Sequence, residues 1–234
     1  MLKQVIELGQ ITAHVVIVLV PVLLSLTWHE FAHAITASWL GDRTAERSNR
    51  LSFHPVHHVD PIGTVLVPLV ILLLNGVLNP VSPRAIPFVG WGKPVPFRAD
   101  ALSPLRPRRL GAILVVASGP LANLLLAALA AAVYAQAIHR GSAASWPEPV
   151  VMFVELLIQV NVGLFILNFL PVFPLDAFHL VTLWMSTEGS PRFYRFNYQV
   201  GWVVILLCVL LAHRPFAAVV AGVTEGVRWT VGLG

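Results

Sequence analysis

The residues best suited to chemistry lie in Thr27-Trp28-His29-Glu30-Phe31-Ala32-His33, at the end of an apolar run that starts near Ile11. Two imidazoles and a carboxylate are costly among Val, Leu and Ile unless something pairs with them, so ionisable groups in such a place point to function. The spacing supplies the pairing. On an α-helix, residues four apart lie roughly 40° apart around the axis and roughly 6 Å apart along it, so His29 and His33 project from one face. Two neutral imidazoles so placed are the first half of a zinc site, and Glu30 can reach a metal-bound water as its base. A plainer role would be two helix-end histidines bonded to backbone or lipid headgroups. At this composition a chance His-Glu-x-x-His has a probability on the order of 1%. The rest of a metal site has to be found elsewhere in the chain.

A catalytic zinc takes about three protein ligands and keeps one position open for water. The single cysteine, Cys208, excludes a disulfide framework and a cysteine-based zinc site, and itself reads as a small lipid- or core-facing residue. His, Asp and Glu remain. Asp176 is the best third ligand: it is one of four aspartates and follows the break made by Pro171 and Pro174 in an otherwise apolar segment. Such a break frees backbone groups and can present a polar side chain within the membrane. Asp176 would also serve as the cap of a helix starting near Ala177, and the two roles are partly compatible. His179, one turn on, reads as an alternative ligand, a hydrogen-bond partner of a ligand, or an ordinary interfacial histidine. Asn168 and Asn123 could donate to a developing oxyanion or position substrate, although Asn in a membrane helix more often joins helices. His54, His57, His58 and Asp60 form a second metal-like cluster. Pro55 and Pro61 disrupt helical spacing there, which favours a surface loop of exposed histidines over a regulatory metal or pH-responsive site.

The elements that must position these groups follow from composition. The chain has 57% hydrophobic and 11% charged residues, against roughly 25% charged in a soluble domain. That predicts an all-α polytopic membrane protein. Five or six crossings fit the length with no sizeable soluble domain, so residues 1–234 read as a single integral membrane domain. Its catalytic core covers about 11–185, and a C-terminal helix and tail cover 198–234. The net charge of +4 comes from loops between apolar segments and is a topology signal, not a nucleic-acid footprint. The first apolar run is too long for the core of a signal peptide and contains the motif itself.

We expect about five spanning helices. The clearest runs are Ile11 to Leu40, Leu110 to Ile138 and Val150 to Leu170, the last resuming at Leu175 as far as Met185, with a final span from Tyr198 to Ala212. The stretch near 61–78 contains Pro61, Gly63, Pro68 and Gly76 and reads as a re-entrant segment. Residues near 87–97, with Pro94 and Pro96, read as a short extended or β stretch at the membrane surface. If 61–78 dips in and returns, loops 41–59, 79–109 and 186–199 share one side with eleven of the 15 Lys and Arg. The positive-inside rule favours that arrangement, and it turns His29 and His33 toward the cytoplasm.

Taken in order, these segments resemble the site-2 protease family of intramembrane zinc metalloproteases. The likeness rests on His29-Glu30-Phe31-Ala32-His33, Ser118-Gly119-Pro120-Leu121-Ala122-Asn123, Asn168-Phe169-Leu170-Pro171 and Leu175-Asp176-Ala177. It extends to Gly41-Asp42-Arg43-Thr44-Ala45 and Trp91-Gly92-Lys93-Pro94-Val95-Pro96, covering roughly residues 20 to 180. It looks like the compact prokaryotic branch without an appended regulatory domain. Ala177 stands where the family usually has Gly, and His54 where similar proteins often have Asn. The resemblance implies one Zn2+ per chain held by His29, His33 and Asp176, with Glu30 as catalytic base. It implies hydrolysis of peptide bonds within or next to transmembrane segments of membrane-protein substrates, in a prokaryotic cytoplasmic membrane. Partners would be a transmembrane protein or peptide substrate and the lipid bilayer, with control left to a regulatory membrane partner or a homo-oligomer. Residues 87–97 would hold an unwound substrate strand by edge pairing or simply cap the site. Rival readings are a metal-binding or metal-transporting membrane protein, and a catalytically inactive protease-like scaffold.

Overall fold

The computed structural model describes residues 2–70, 91–98, 100–102, 108–185, 190–211 and 213–233. Helix α1 spans Leu2–Trp39 and absorbs Pro21, which has no N–H to donate. Ser25 Oγ donates to the Pro21 carbonyl at 2.7 Å and Thr27 Oγ1 to Leu23 at 2.7 Å, so both hydroxyls are satisfied inside the helix. The helix stops at Gly41, whose φ of 103° is open to glycine and closed to most residues. There Asp42 N–H reaches back to the Ala37 carbonyl at 2.9 Å, a Schellman-type end.

Helix α2 is a single turn, Thr44–Arg47, followed by a 3₁₀ turn at Pro55–His57. Phe53 stacks on Phe31 at 3.8 Å and on Trp28 at 5.9 Å, which pins this loop to α1. Asp60 Oδ1 accepts from Ile62 and Gly63 N–H and opens a wide π-type turn, Pro61–Leu66, that continues as helix to Val70.

Helices α3 (Arg108–His139) and α4 (Glu148–Leu167) pack with α1 into a three-helix core. Lipid offers no hydrophobic drive between helices, so close approach of small residues carries much of the packing. Ala34, Ala37, Ala112, Ala127 and Ala131 are all fully buried. Val22 and Leu26 of α1 meet Val160 and Leu164 of α4. A polar tie crosses the same interface, where Asn161 Nδ2 donates to Ser25 Oγ at 2.7 Å.

Helix α5 (Asp176–Trp184) follows the double-proline break. Helix α6 (Ser190–Leu211) packs on it through aromatics, with Phe193 stacked on Phe178 at 5.3 Å and Tyr194 edge-on at 4.9 Å. Helix α7 (His213–Thr230) lays Val220 against Ala127, Ala131, Ile158 and Val162 of α3 and α4.

Two expectations need correction. Among the described residues three helices, not five, are long and apolar enough to cross a membrane: Val16–Trp39, Arg109–His139 and Glu148–Leu167. The first turns of α6 carry Arg192, Arg195, Asn197 and Gln199, and α7 carries His213, Arg214, Glu225 and Arg228. The β stretch is also absent where it can be seen, since residues 91–98 form no strand or other regular element. Their donors go elsewhere: Trp91 to the Gly63 carbonyl, Lys93 to that of His58, Val95 to Glu30 and Arg98 to Asp42, while Pro94 and Pro96 have none. Residues 87–90, and residues 71–78 of the re-entrant segment, lie outside the described residues.

Candidate metal centre

The apolar surroundings of α1 leave its two histidines dependent on partners from other helices. Both are buried, His29 at 4% and His33 at 7% exposure, with rings edge to face and centroids 4.6 Å apart. Helix α3 can reach them because Gly119 lies at the contact. A Cβ there would run into the His33 ring and come within 2.7 Å of His29 Cε1. Each ring is held from behind by α3. His33 Nδ1 donates to the Val115 carbonyl at 2.7 Å, which fixes the tautomer and turns an Nε2 lone pair inward. His29 Nδ1 lies 3.1 Å from the amide of Asn123, and Trp28 Nε1 donates to the Ala122 carbonyl at 2.8 Å one residue away.

Helix α5 supplies the third group. Asp176 Oδ2 lies 3.1 Å from His29 Nε2, Oδ1 lies 3.2 Å from His33 Nε2, and the two Nε2 atoms are 3.0 Å apart. Donors about 2.0–2.1 Å from a tetrahedral zinc lie roughly 3.3 Å from one another, so this spacing suits that ion. The donor set fits as well. Asp176 Oδ2 is buried with no hydrogen-bond partner, and Asn123 Oδ1 is likewise buried and unpartnered. An Asn123 amide turned end for end would accept from His29 Nδ1–H and leave both Nε2 lone pairs for a cation. His29, His33 and Asp176 are the one group of three or more such ligands among the described residues, and His179 is outside it.

Asp176 is positioned by Asn168 at the end of α4. The Asn168 side-chain oxygen accepts from Asp176 N–H at 3.2 Å and its carbonyl from Ala177 N–H at 3.0 Å, so one residue caps the start of α5. Asn168 lines the cavity in front of the candidate metal ligands, as does His179. Asn123 sits behind His29, against its Nδ1, and is outside the described lining of the cavity.

Glu30 shares this cavity, which has a volume of about 510 Å³. Its opposite wall is the strip from Trp91 to Phe97. Val95 N–H donates to Glu30 Oε2 at 3.0 Å, and Gly92 lies so close that a Cβ would be 2.8 Å from Oε1. Further along, Arg98 N–H donates to Asp42 Oδ2 at 2.5 Å, and Asp42, only 1% exposed, also takes the Thr44 N–H at 2.9 Å. Two carboxylates of the α1 end therefore hold the strip. The Glu30 and Asp42 contacts escaped the sequence reading, because a carboxylate bonded to backbone N–H groups leaves no periodic signal.

The second histidine cluster comes apart. Asp60 is a turn cap, and His58 is buried, donating from Nε2 to the Ser52 carbonyl at 2.7 Å. Burial, aided by Arg50 and His57, pushes His58 below the usual histidine range against the pull of that hydrogen bond. His54 and His57 remain exposed.

No family model and no solved structure matches the chain. Two curated proteins do. One is "Putative zinc metalloprotease YwhC" of Bacillus subtilis (strain 168), 32% identical over 164 residues, which are 69% of this chain and 66% of that protein. The other is "Putative zinc metalloprotease Rip2" of Mycolicibacterium smegmatis (strain ATCC 700084 / mc(2)155), 27% identical over 188 residues, 80% of this chain and 64% of that protein. The matched stretches span just under two thirds of the length of both relatives. Read beside the donor set that α1 and α5 bring together, these likenesses support a zinc metalloprotease family for this chain.

Proposed function

We propose that the chain is a membrane-embedded zinc endopeptidase of the site-2 protease kind, cutting peptide bonds within or next to transmembrane segments of membrane proteins. The observation that carries this is the Glu30 carboxylate lining the same cavity as His29, His33 and Asp176, with Glu30 and both histidines on a helix apolar enough to cross a bilayer. His29, His33 and Asp176 would hold one zinc ion. When bound, it supplies a Lewis acid that polarises a carbonyl and acidifies water.

The chain's own groups do the rest. Glu30 takes a proton from water and returns it to the leaving nitrogen of the cut amide. Val95 N–H fixes one Glu30 oxygen and leaves the other free to act as base. Asn168, facing the cavity with one amide hydrogen on the Leu164 carbonyl at 2.9 Å, has its second hydrogen available for the developing oxyanion. The strip from Trp91 to Phe97 lines the cavity beside Glu30 and would hold an unwound substrate segment there. On the distribution of Lys and Arg we assign the site end of α1 to the cytoplasmic side of the membrane.

Glu30→Gln tests the reading. Zinc content should stay at one per chain while cleavage of a transmembrane substrate falls by roughly 10³-fold. Full cleavage by the zinc-loaded variant would sink the mechanism, because a base that can be removed without loss is not the base. A protein that only binds or passes metal would have no cleavage to lose.

A further inference from the structure

The turn Pro55–His57 carries a second pair of histidines that the proposed reaction does not use. A 3₁₀ turn has three residues per turn, so side chains at i and i+3 stand one above the other. His54 caps this turn and His57 ends it. The turn is fixed by Pro55 and by the His57 N–H bond to the His54 carbonyl at 3.1 Å, and His54 N–H is tied to Ser52 Oγ at 3.0 Å. Both rings are exposed, their centroids are 5.5 Å apart and their planes are tilted by 36°. Among the described residues neither ring nitrogen makes a hydrogen bond, so both imidazoles keep their lone pairs for a ligand. His58, the next residue, is buried and bonded elsewhere, and Asp60 is engaged as a cap.

We propose that His54 and His57 form a second metal site, on the surface, that takes one divalent d-block cation such as zinc through two imidazoles, with water completing the shell. Two neutral imidazoles on a preset turn suit zinc, nickel and copper, and bind calcium or magnesium poorly. The site is tied to the 91–97 strip by the Arg50 side chain and by one main-chain bond. The His57 carbonyl accepts from Arg50 Nη1, which also lies 3.4 Å from the Lys93 carbonyl, and the His58 carbonyl accepts from Lys93 N–H at 2.8 Å. An ion on the pair therefore stiffens the turn on which the 91–97 strip is seated. The inference is independent of the peptidase reading, since neither histidine touches the cavity.

The test is zinc titration of the tag-free full chain already holding one equivalent. A second equivalent should bind at roughly micromolar to sub-millimolar zinc. It should weaken about tenfold or more in His54→Asn and in His57→Asn, and persist in His33→Ala, which loses the first. Both surface substitutions replace exposed side chains, so the fold and the first equivalent should survive them. The proposal fails if no second equivalent binds the parent below about 1 mM, or if it binds the double variant as well as the parent. Hydrogen exchange at the Lys93 amide should slow when the second equivalent is added to the parent and not in the double variant. An unchanged rate in the parent would overturn the link to the strip.

Discussion

The chain holds two histidine pairs, and the difference between them shows what turns a spacing into a centre. His29 and His33 sit four apart on an α-helix with centroids 4.6 Å apart, and His54 and His57 three apart on a 3₁₀ turn at 5.5 Å. The rings meet differently, edge to face at 88° in the first pair and tilted by 36° in the second, and the surroundings differ more. The inner pair is buried, each ring is gripped from behind by α3, and a carboxylate arrives from α5. The outer pair belongs to a single turn and faces solvent. Secondary structure is enough to make a pair. A fixed tautomer, a third ligand and exclusion of water need tertiary packing.

Each of these additions can be taken away in turn. Removing the carboxylate makes the inner pair resemble the outer one, so Asp176→Ala should have the largest effect. Bound zinc in the purified protein should fall from about one equivalent to almost none, with cleavage lost; an undiminished zinc content would refute the proposed ligand set. Gly119→Ala pushes a methyl group into the His33 ring. Overpacking of this kind costs about 1–3 kcal/mol, read as a lower unfolding midpoint and weaker zinc retention against a chelator. Asn123→Ala strips His29 of its orienting partner, and zinc affinity should drop about 10–100-fold with the fold intact. The smallest change is Ser25→Ala, which removes the bond from Asn161 between α1 and α4. It should cost about 0.6 kcal/mol of stability and leave zinc stoichiometry unchanged; a large loss of zinc there would mean that this tie, too, sets the geometry of the centre.

Much of the centre was legible because its residues are expensive where they stand. A carboxylate after Pro171 and Pro174, and imidazoles at the end of an apolar run, stand out against Val and Leu. The bounds of α3 and α4 followed from uninterrupted apolar runs, within a few residues. What could not be read were contacts made by groups that every residue possesses. The Val115 carbonyl that orients His33 and the Val95 N–H that holds Glu30 carry no side-chain mark. Asn123 was open to two roles because an amide hydrogen-bonds as readily behind a ligand as in front of one. Prolines at 94 and 96 suggested an extended course, and residues 91–98 carry no regular secondary structure. They could not say that the strip's donors would be taken by loop carbonyls and by Glu30 and Asp42, and not by a neighbouring strand. Five spans were expected because apolar runs were counted. The α6 run carries polar residues through its first turns, and α7 lies against α3 and α4 as an amphipathic helix.

That the proposed ligands come from α1 and α5 has a consequence for biosynthesis. The helix bearing His29 and His33 enters the membrane early, whereas Asp176 leaves the ribosome roughly 150 residues later, on the order of ten seconds at ordinary elongation rates. Under the proposed ligation, until α5 docks the nascent chain would present only two imidazoles to zinc, a pair with weak hold on the ion. Assembly order would then act as a timer, delaying zinc loading until the third proposed ligand has been inserted.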